Sequence, residues 1–453
     1  MLCILLKFFS VVALAFCAGV LYLSFVNQST SPQLTKRVLL VAYYFPPLGM
    51  GGTQRVAKWA KYFLRLDWEV TIITVKPIAY YAFDDSLLEE LKGARIIRTG
   101  SLDPARLLYL FRRKKERATG GKEGSTSWLY WFLIPDARIL WLPFALWHAW
   151  REIRQQNIPF IVTSGPPHSS HFVGWILSKL TGVKWVSDFR DSWLQGNLLP
   201  TPTPLHRWLH RAMEKSILTD AHAVTATSQM LAESLADTGQ RQAGTTHFLP
   251  NGYDADDFAT PVSKTDVRFD VAYIGAISSF ADPHTLLEGF RLFVETAQLS
   301  PVETRLHFIG ADVTGQLAAR VRENHLDEYV NCSGYLPHHE AIHALRQADL
   351  LVYLVRPGSF PALIPGKTFE YMAAGQPVLA IGDCIEGMQL LMQHAVVRHC
   401  DFDAIDAIER ALLAFYKECH HPLPAKEILP PEKFSRAAQA EKLTEIFATI
   451  LHS

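Results

Sequence analysis

Lys367 and Glu370 stand one helical turn apart in the stretch Arg356-Pro-Gly-Ser-Phe-Pro-Ala-Leu-Ile-Pro-Gly-Lys-Thr-Phe-Glu-Tyr-Met-Ala-Ala-Gly-Gln-Pro-Val-Leu-Ala-Ile-Gly382. At that spacing an ammonium and a carboxylate share a helix face. Free backbone N–H groups at a helix start, with a lysine beside them, suit a phosphate. A carboxylate next to such a site repels phosphate but accepts hydrogen bonds from sugar or ribose hydroxyls. The plainer alternative is a capped helix with an ordinary Lys–Glu surface pair. The surrounding elements set the position. The apolar run Ala348–Val355 reads as a buried strand, Pro365 and Gly366 break the chain, and 367–374 has helical composition. Gly375 and Pro377 stop that helix before a second apolar strand over 378–381. Strand, loop, helix and strand make one unit of a parallel sheet, with Gly366 and Lys367 at its ligand-binding edge.

Three other loops carry candidate chemistry. Strand 37–43 runs into Phe45-Pro-Pro-Leu-Gly-Met-Gly-Gly-Thr-Gln-Arg55, and Gly49, Gly51 and Gly52 let backbone N–H groups approach a ligand closely. This is no dinucleotide fingerprint. Gln54 takes the place of the third glycine, and the next strand ends in Lys76 rather than a ribose-binding acid. A strand over 158–163 leads into Ser164-Gly-Pro-Pro-His-Ser-Ser-His171, which puts His168 and His171 at a strand-to-helix turn. Residues 184–193 form the next strand and its exit loop, where Asp188, Arg190 and Asp191 read either as a self-satisfied salt-bridge cluster or as a grip on an acceptor's hydroxyls.

Lys-x-x-Glu-Tyr-Met-Ala-Ala-Gly-x-Pro-Val-Leu-Ala resembles the donor motif of the retaining glycosyltransferases of family four, which have the GT-B fold. Phe-Pro-Pro-x-Gly-x-Gly-Gly-x-x-Arg, Ser-Gly-Pro-Pro-His-x-x-His, Asp-Phe-Arg-Asp-x-Trp and Pro-Asn-Gly-x-Asp follow the same family in the same order, over residues 37–450. The resemblance implies that Glu370 holds the ribose of a nucleotide-sugar and that Lys367, with Arg356, lies at its diphosphate. It implies further that Tyr335 and Leu336, after Gly334, pack on the base, and that Gly275 opens the donor half. His168 or His171 would touch the donor sugar; Arg55, Asp188, Arg190 and Asp191 would shape the acceptor side. Two departures stand out. Many members have an acid where this chain has Ala362, and the Arg/Lys pair that often follows the glycine at 275 is absent before Phe290.

Composition narrows the class. The 453 residues suffice for two domains, and 49% hydrophobic with 19% charged residues fits a packed globular chain. Lys+Arg and Asp+Glu are both 44, so no global field favours nucleic acid. The six cysteines show no metal or disulfide spacing. Phe8–Val26 is an uncharged apolar run, about 28 Å long as a helix, enough for a bilayer. Arg112-Arg-Lys-Lys-Glu-Arg117, followed by the aromatics of 128–133, suits contact with anionic lipid.

The expected architecture is therefore α/β and GT-B: two doubly wound Rossmann-like domains facing across a cleft, behind an N-terminal membrane anchor helix. The expected boundaries are anchor and linker 1–34, acceptor-side domain 35–260, nucleotide-sugar domain 261–430, and a helix 431–453 returning to the first domain. The expected activity is metal-independent sugar transfer, with retention, from a nucleotide-sugar to a glycan or lipid-linked acceptor. The protein would be a single-pass inner-membrane protein with its catalytic domains in the cytoplasm, using no cofactor and binding no nucleic acid. A nucleotide-sugar 2-epimerase and a non-catalytic assembly subunit are the alternatives.

Overall fold

A computed structural model describes residues 35–452 except 50, 81, 112–130, 196–198, 200, 265, 266 and 421–429. The expected anchor at 8–26 and the basic run at 112–117 lie outside the described residues. Among the described residues no helix is long and apolar enough to cross a membrane.

Two parallel sheets organise the chain. The first contains β1 (Arg37–Val41), β2 (Glu69–Val75), β3 (Arg95–Thr99), β4 (Phe160–Gly165), β5 (Lys184–Phe189), β6 (Ala223–Ala226) and β7 (Thr246–Phe248), in the order β3-β2-β1-β4-β5-β6-β7. The second contains β8 (Phe269–Ile274), β9 (Thr304–Ile309), β10 (Val330–Gly334), β11 (Leu350–Val355), β12 (Val378–Gly382) and β13 (Val397–Cys400), in the order β10-β9-β8-β11-β12-β13. The central strands are buried, apart from Arg37 at the start of β1, as both-faced burial in a doubly wound sheet requires. The strand order reverses between β1 and β4 and again between β8 and β11. Those two reversals open crevices at the C-terminal strand ends, where such sheets bind ligands.

Local chemistry sets the helix ends. Thr203 and Ser228 accept from His206 N and Leu231 N and so cap helices Pro204–Asp220 and Gln229–Gly239. Gly375, at φ 72°, closes Lys367–Ala374. The last helix, Arg436–Leu451, is capped by Ser435 and lies on the first domain. There Phe447 stacks on Phe160 at 4.6 Å and on Phe63 at 5.8 Å.

Helix Gly51–Arg65 ties the first domain to the segment that crosses to the second. Arg55 donates to the carbonyls of Leu249 and Pro250, both at 2.7 Å. Lys58 and Lys61 reach Asp254 at 2.6 and 2.7 Å, Tyr62 donates to it at 2.6 Å, and Arg65 pairs with Asp256 at 2.5 Å. These side chains recur every three or four positions and form one helix face.

Candidate functional site

Lys367 opens its helix at the C-terminal edge of the second sheet. Its ammonium lies 4.2 Å from the ring of Tyr273 on β8 and 5.0 Å from that of Tyr353 on β11. Cation–π attraction holds it there. Burial favours the neutral amine, and although the Glu370 carboxylate opposes this, the lysine is pushed down to about 7. Tyr353 shares a 2.9 Å hydrogen bond with Thr368, and Tyr371 accepts from Ile274 N at 3.2 Å and donates to Val352 O at 3.1 Å, so the helix is tied to both strands beneath the cage. Among the described residues no carboxylate comes within ion-pair distance of Lys367, and no hydrogen bond engages Glu370. Gly275 ends β8 at φ 141°, a conformation that suits glycine alone, and Lys367 Cδ lies 3.9 Å from where a side chain would begin.

Arg356 follows β11, donates to Ser279 O at 3.2 Å, and is exposed. It lines a cavity of about 330 Å³ together with Ile277, Ser279, Asp282, Thr314 and Arg320. Arg320, which pairs with Asp282, is a second cation here that no sequence motif marked. Its helix, Leu317–Glu323, is remote from the loop after Gly275 in sequence.

Ala362 packs with Phe360 into the hydrophobic cluster of the first domain. An acid at that position would sit in apolar surroundings without a partner, which accounts for its absence here.

The first domain places its candidates differently. His168 and His171 are buried under aromatic faces: His168 stacks on Trp193 at 4.5 Å and His171 on Phe189 at 4.5 Å. His171 Nδ1 meets Thr163 and Ser187 hydroxyls, each at 3.0 Å, whereas His168 Nδ1 and His171 Nε2 have no hydrogen-bond partner among the described residues. Burial lowers both imidazoles, His171 to about 3, so each is neutral at pH 7. Neither can act as a cation.

Arg55 and Asp188 do not line an acceptor surface. They form a buried two-bond pair, Nε–Oδ2 3.1 Å and Nη2–Oδ1 2.8 Å, and Ser164 and Thr225 hydroxyls complete the carboxylate. Their role is to hold β4, β5 and β6 to the helix at 51–65. Arg190 is likewise occupied, donating to the carbonyls of Gly52, Gly165 and Pro166. Asp191 differs: it is partly exposed and lacks a side-chain hydrogen bond among the described residues. Burial raises its carboxyl against the pull of Arg190.

The two halves meet at close range. A Cβ on Gly49 would lie 2.2 Å from the Tyr335 hydroxyl, whereas one on Gly51 would meet nothing within 4 Å. Gly49→Ala should therefore cost about 1–3 kcal/mol of stability by overpacking. Gly51→Ala should be neutral or better. Comparing their melting temperatures checks the contact; equal values for the two variants would refute it. Leu336 packs beside Tyr335 on the second domain's core. Glu386 accepts from Gln229 N and Met230 N at 2.7 and 3.1 Å, placing a carboxylate on a helix N-terminus of the other domain.

His338, like Glu386, makes an interdomain contact that the sequence did not reveal. Its Nε2 lies 2.8 Å from Asp257, its Nδ1 3.0 Å from the Gln54 amide, and its backbone N–H donates to Asp84 at 2.9 Å. Burial opposes its charge, but the Asp257 hydrogen bond and the Glu370 carboxylate leave its pKa above the ordinary value. A raised histidine stabilises fully below its unfolded pKa, about 6.5, and loses that contribution as pH rises through the folded value. The melting-temperature gap between wild type and His338→Gln should thus be largest in acid and shrink as pH rises. A gap independent of pH would count against the contact.

Glu90, Asp254 and Asp257 converge closely enough to hold a metal ion. Lys58 stands among them, however, at 2.8, 2.6 and 3.6 Å, and supplies the positive charge itself.

Comparison with known proteins gives this geometry a family. Residues 50–252 match the family described as glycosyl transferase 4-like domain, and 268–417 that described as glycosyl transferases group 1. The chain has the GT-B fold, built from two glycosyltransferase domains. Similar solved structures include a glycosyltransferase from Rickettsia africae, with TM-score 0.61 and 15% identity over 92% of this chain and 99% of that one. HepE of Anabaena in complex with UDP-glucose gives TM-score 0.58 and 14% identity, covering 91% and 99%. A UDP-N-acetylglucosamine 2-epimerase also shares the fold, at TM-score 0.51 and 13% identity, covering 91% and 96%. At these identities the likeness concerns the fold alone. No curated protein matches the chain in sequence. The Gly49 loop meets the second domain at Tyr335, and Gln54 beyond it meets His338, on which the Glu370 carboxylate acts.

Proposed function

We propose that the protein transfers a sugar, with retention of configuration and without a metal, from a nucleotide-sugar bound between the two domains. The observation that carries this reading is the Lys367–Glu370 couple beside Gly275, with no ion-pair or hydrogen-bond partner among the described residues. Glu370 accepts from the donor ribose. Lys367 takes the diphosphate, joined by Arg356 and by Arg320, whose positions offset the missing Arg/Lys pair after Gly275. Tyr335 and Leu336 pack near the base. These fixed cations stabilise the charge that builds on the departing diphosphate, and in transfers of this kind such stabilisation is usually the largest contribution to the rate. Neutral His168, buried under Trp193, can reach a sugar hydroxyl only if the Trp193 ring moves, and it would then donate or accept a hydrogen bond. Asp191, alone of the first-domain candidates, is placed to meet an acceptor, which we propose is lipid-linked or a polysaccharide precursor. A nucleotide-sugar donor places the reaction in the cytoplasm.

Incubation with a panel of UDP- and GDP-sugars should raise the melting temperature for at least one member. Product anomeric configuration by NMR tests retention, and activity unchanged by a chelator tests metal independence. An isomerised donor formed with no acceptor present would favour the epimerase reading instead.

A further inference from the structure

Helix Pro204–Asp220 presents an outer face that the packing of the domain does not use. Inward it buries His206, His210, Glu214, Ile217 and Leu218. Outward, Leu205, Trp208 and Ala212 fall at three- and four-residue spacing and form an apolar stripe, with Leu205 61% and Trp208 62% exposed. Beside it Arg207, Arg211 and Lys215, each four residues from the next, form a parallel basic stripe, all exposed. Among the described residues none of these three cations has an ion-pair partner. The helix's two acids do not neutralise them: Glu214 faces inward, where burial pushes it up to about 7, and Asp220 is held by Lys179 and Trp175. Trp131, 48% exposed, packs its ring edge-on against His206 at 5.6 Å and extends the apolar patch past the first turn, followed by Phe132 at 47%.

We propose that this face, with Trp208, Leu205 and Trp131 as its apolar edge and Arg207, Arg211 and Lys215 as its charged edge, docks the first domain on an anionic phospholipid surface. Tryptophan prefers the headgroup boundary, where its ring is buried and its N–H stays wet. Arginine and lysine lay their stems along the apolar layer while their charges meet lipid phosphates. A protein partner would satisfy the apolar stripe equally well. The uncompensated basic stripe is what favours lipid, because a surface of dense negative charge attracts it. The proposal is independent of residues 1–34 and of the sugar-transfer reading.

The test is sedimentation of the full chain with phosphatidylcholine vesicles that contain or lack phosphatidylglycerol. Wild type should favour the anionic vesicles. Arg207→Ser/Arg211→Ser/Lys215→Ser should lower that partition by about a hundredfold. Trp208→Ser should lower it independently, and because all four positions are exposed both variants should melt like wild type. Any lipid contact made elsewhere in the chain persists in every variant. Variants that sediment like wild type, or equal binding to both vesicles, would overturn the proposal. So would a dimer in sedimentation velocity that Trp208→Ser dissociates without changing vesicle binding, since the patch would then cover a second copy.

Discussion

Lys367→Met and Glu370→Ala should each lower kcat/KM for the donor by about a hundredfold to a thousandfold while leaving the melting temperature nearly unchanged. The two effects should differ in kind. On the proposed reading Lys367 would face charge that grows as the diphosphate departs, so its loss should appear mainly in kcat. Glu370 would meet a ribose that does not change during transfer, so its loss should appear mainly in KM. Neither side chain has an ion-pair or hydrogen-bond partner among the described residues, and Lys367 is partly buried against tyrosine rings. Lys367→Met even removes an ammonium whose burial is costly. Steady-state kinetics on both variants checks this. Unchanged kcat/KM in both would remove these residues from the site.

Arg55→Ala should do the opposite: large damage to stability, little direct damage to chemistry. Asp188 is buried, and burial alone would raise its carboxyl. The Arg55 guanidinium, with the Thr225 and Ser164 hydroxyls, holds it below the usual carboxylate range. Without Arg55 a buried charge loses its partner, and the carbonyls of Leu249 and Pro250 lose their donor. Breaking such a pair costs about 3–5 kcal/mol. For a domain of this size that is a melting-temperature drop of roughly ten degrees. Arg55→Met combined with Asp188→Leu should recover much of the loss, because no charge is then stranded. Because its folded pKa is depressed, Asp188 stabilises above its unfolded pKa of about 3.9, and that contribution disappears as pH falls through the folded value. Calorimetric melting of the single and double variants checks the assignment, and a single variant that melts with wild type would refute it.

The contrast between those residues shows what the chain reveals locally and what it hides. Helix Lys367–Ala374 was legible because its start, stop and flanking apolar strands are encoded within a few residues of one another. Alternation of apolar strands with helical segments was likewise enough to expect an α/β chain, and the resemblance supplied the two doubly wound domains. The polar face of helix Gly51–Arg65 was not legible. Arg55 reads as an acceptor-side residue and nothing local marks Lys58 or Lys61 for burial, yet all three are buried because Asp188 and Asp254, well over a hundred residues away, come to meet them. The same cause separates three neighbours: within Asp188-Phe-Arg-Asp191, nothing local distinguishes the buried pair member from the free carboxylate. The histidines at 168 and 171 were correctly located at a turn, but their stacking under Trp193 and Phe189, and hence their neutrality, depends on packing. Tyr273 and Tyr353 read only as strand core. A tyrosine near the end of each of two strands, with a lysine opening the helix between them, was the available signal for the cage.

The most direct test of a donor gripped between the two domains is calorimetric titration of UDP- and GDP-sugars into the protein at several pH values. The free Lys367 ammonium titrates near 7, and a diphosphate beside it restores the charge, so binding should take up a proton and weaken as pH rises through about 7. Binding with that dependence, lost in Lys367→Met, is the expected result. Absence of binding by every sugar nucleotide in the panel, or binding indifferent to both pH and Lys367, would contradict it.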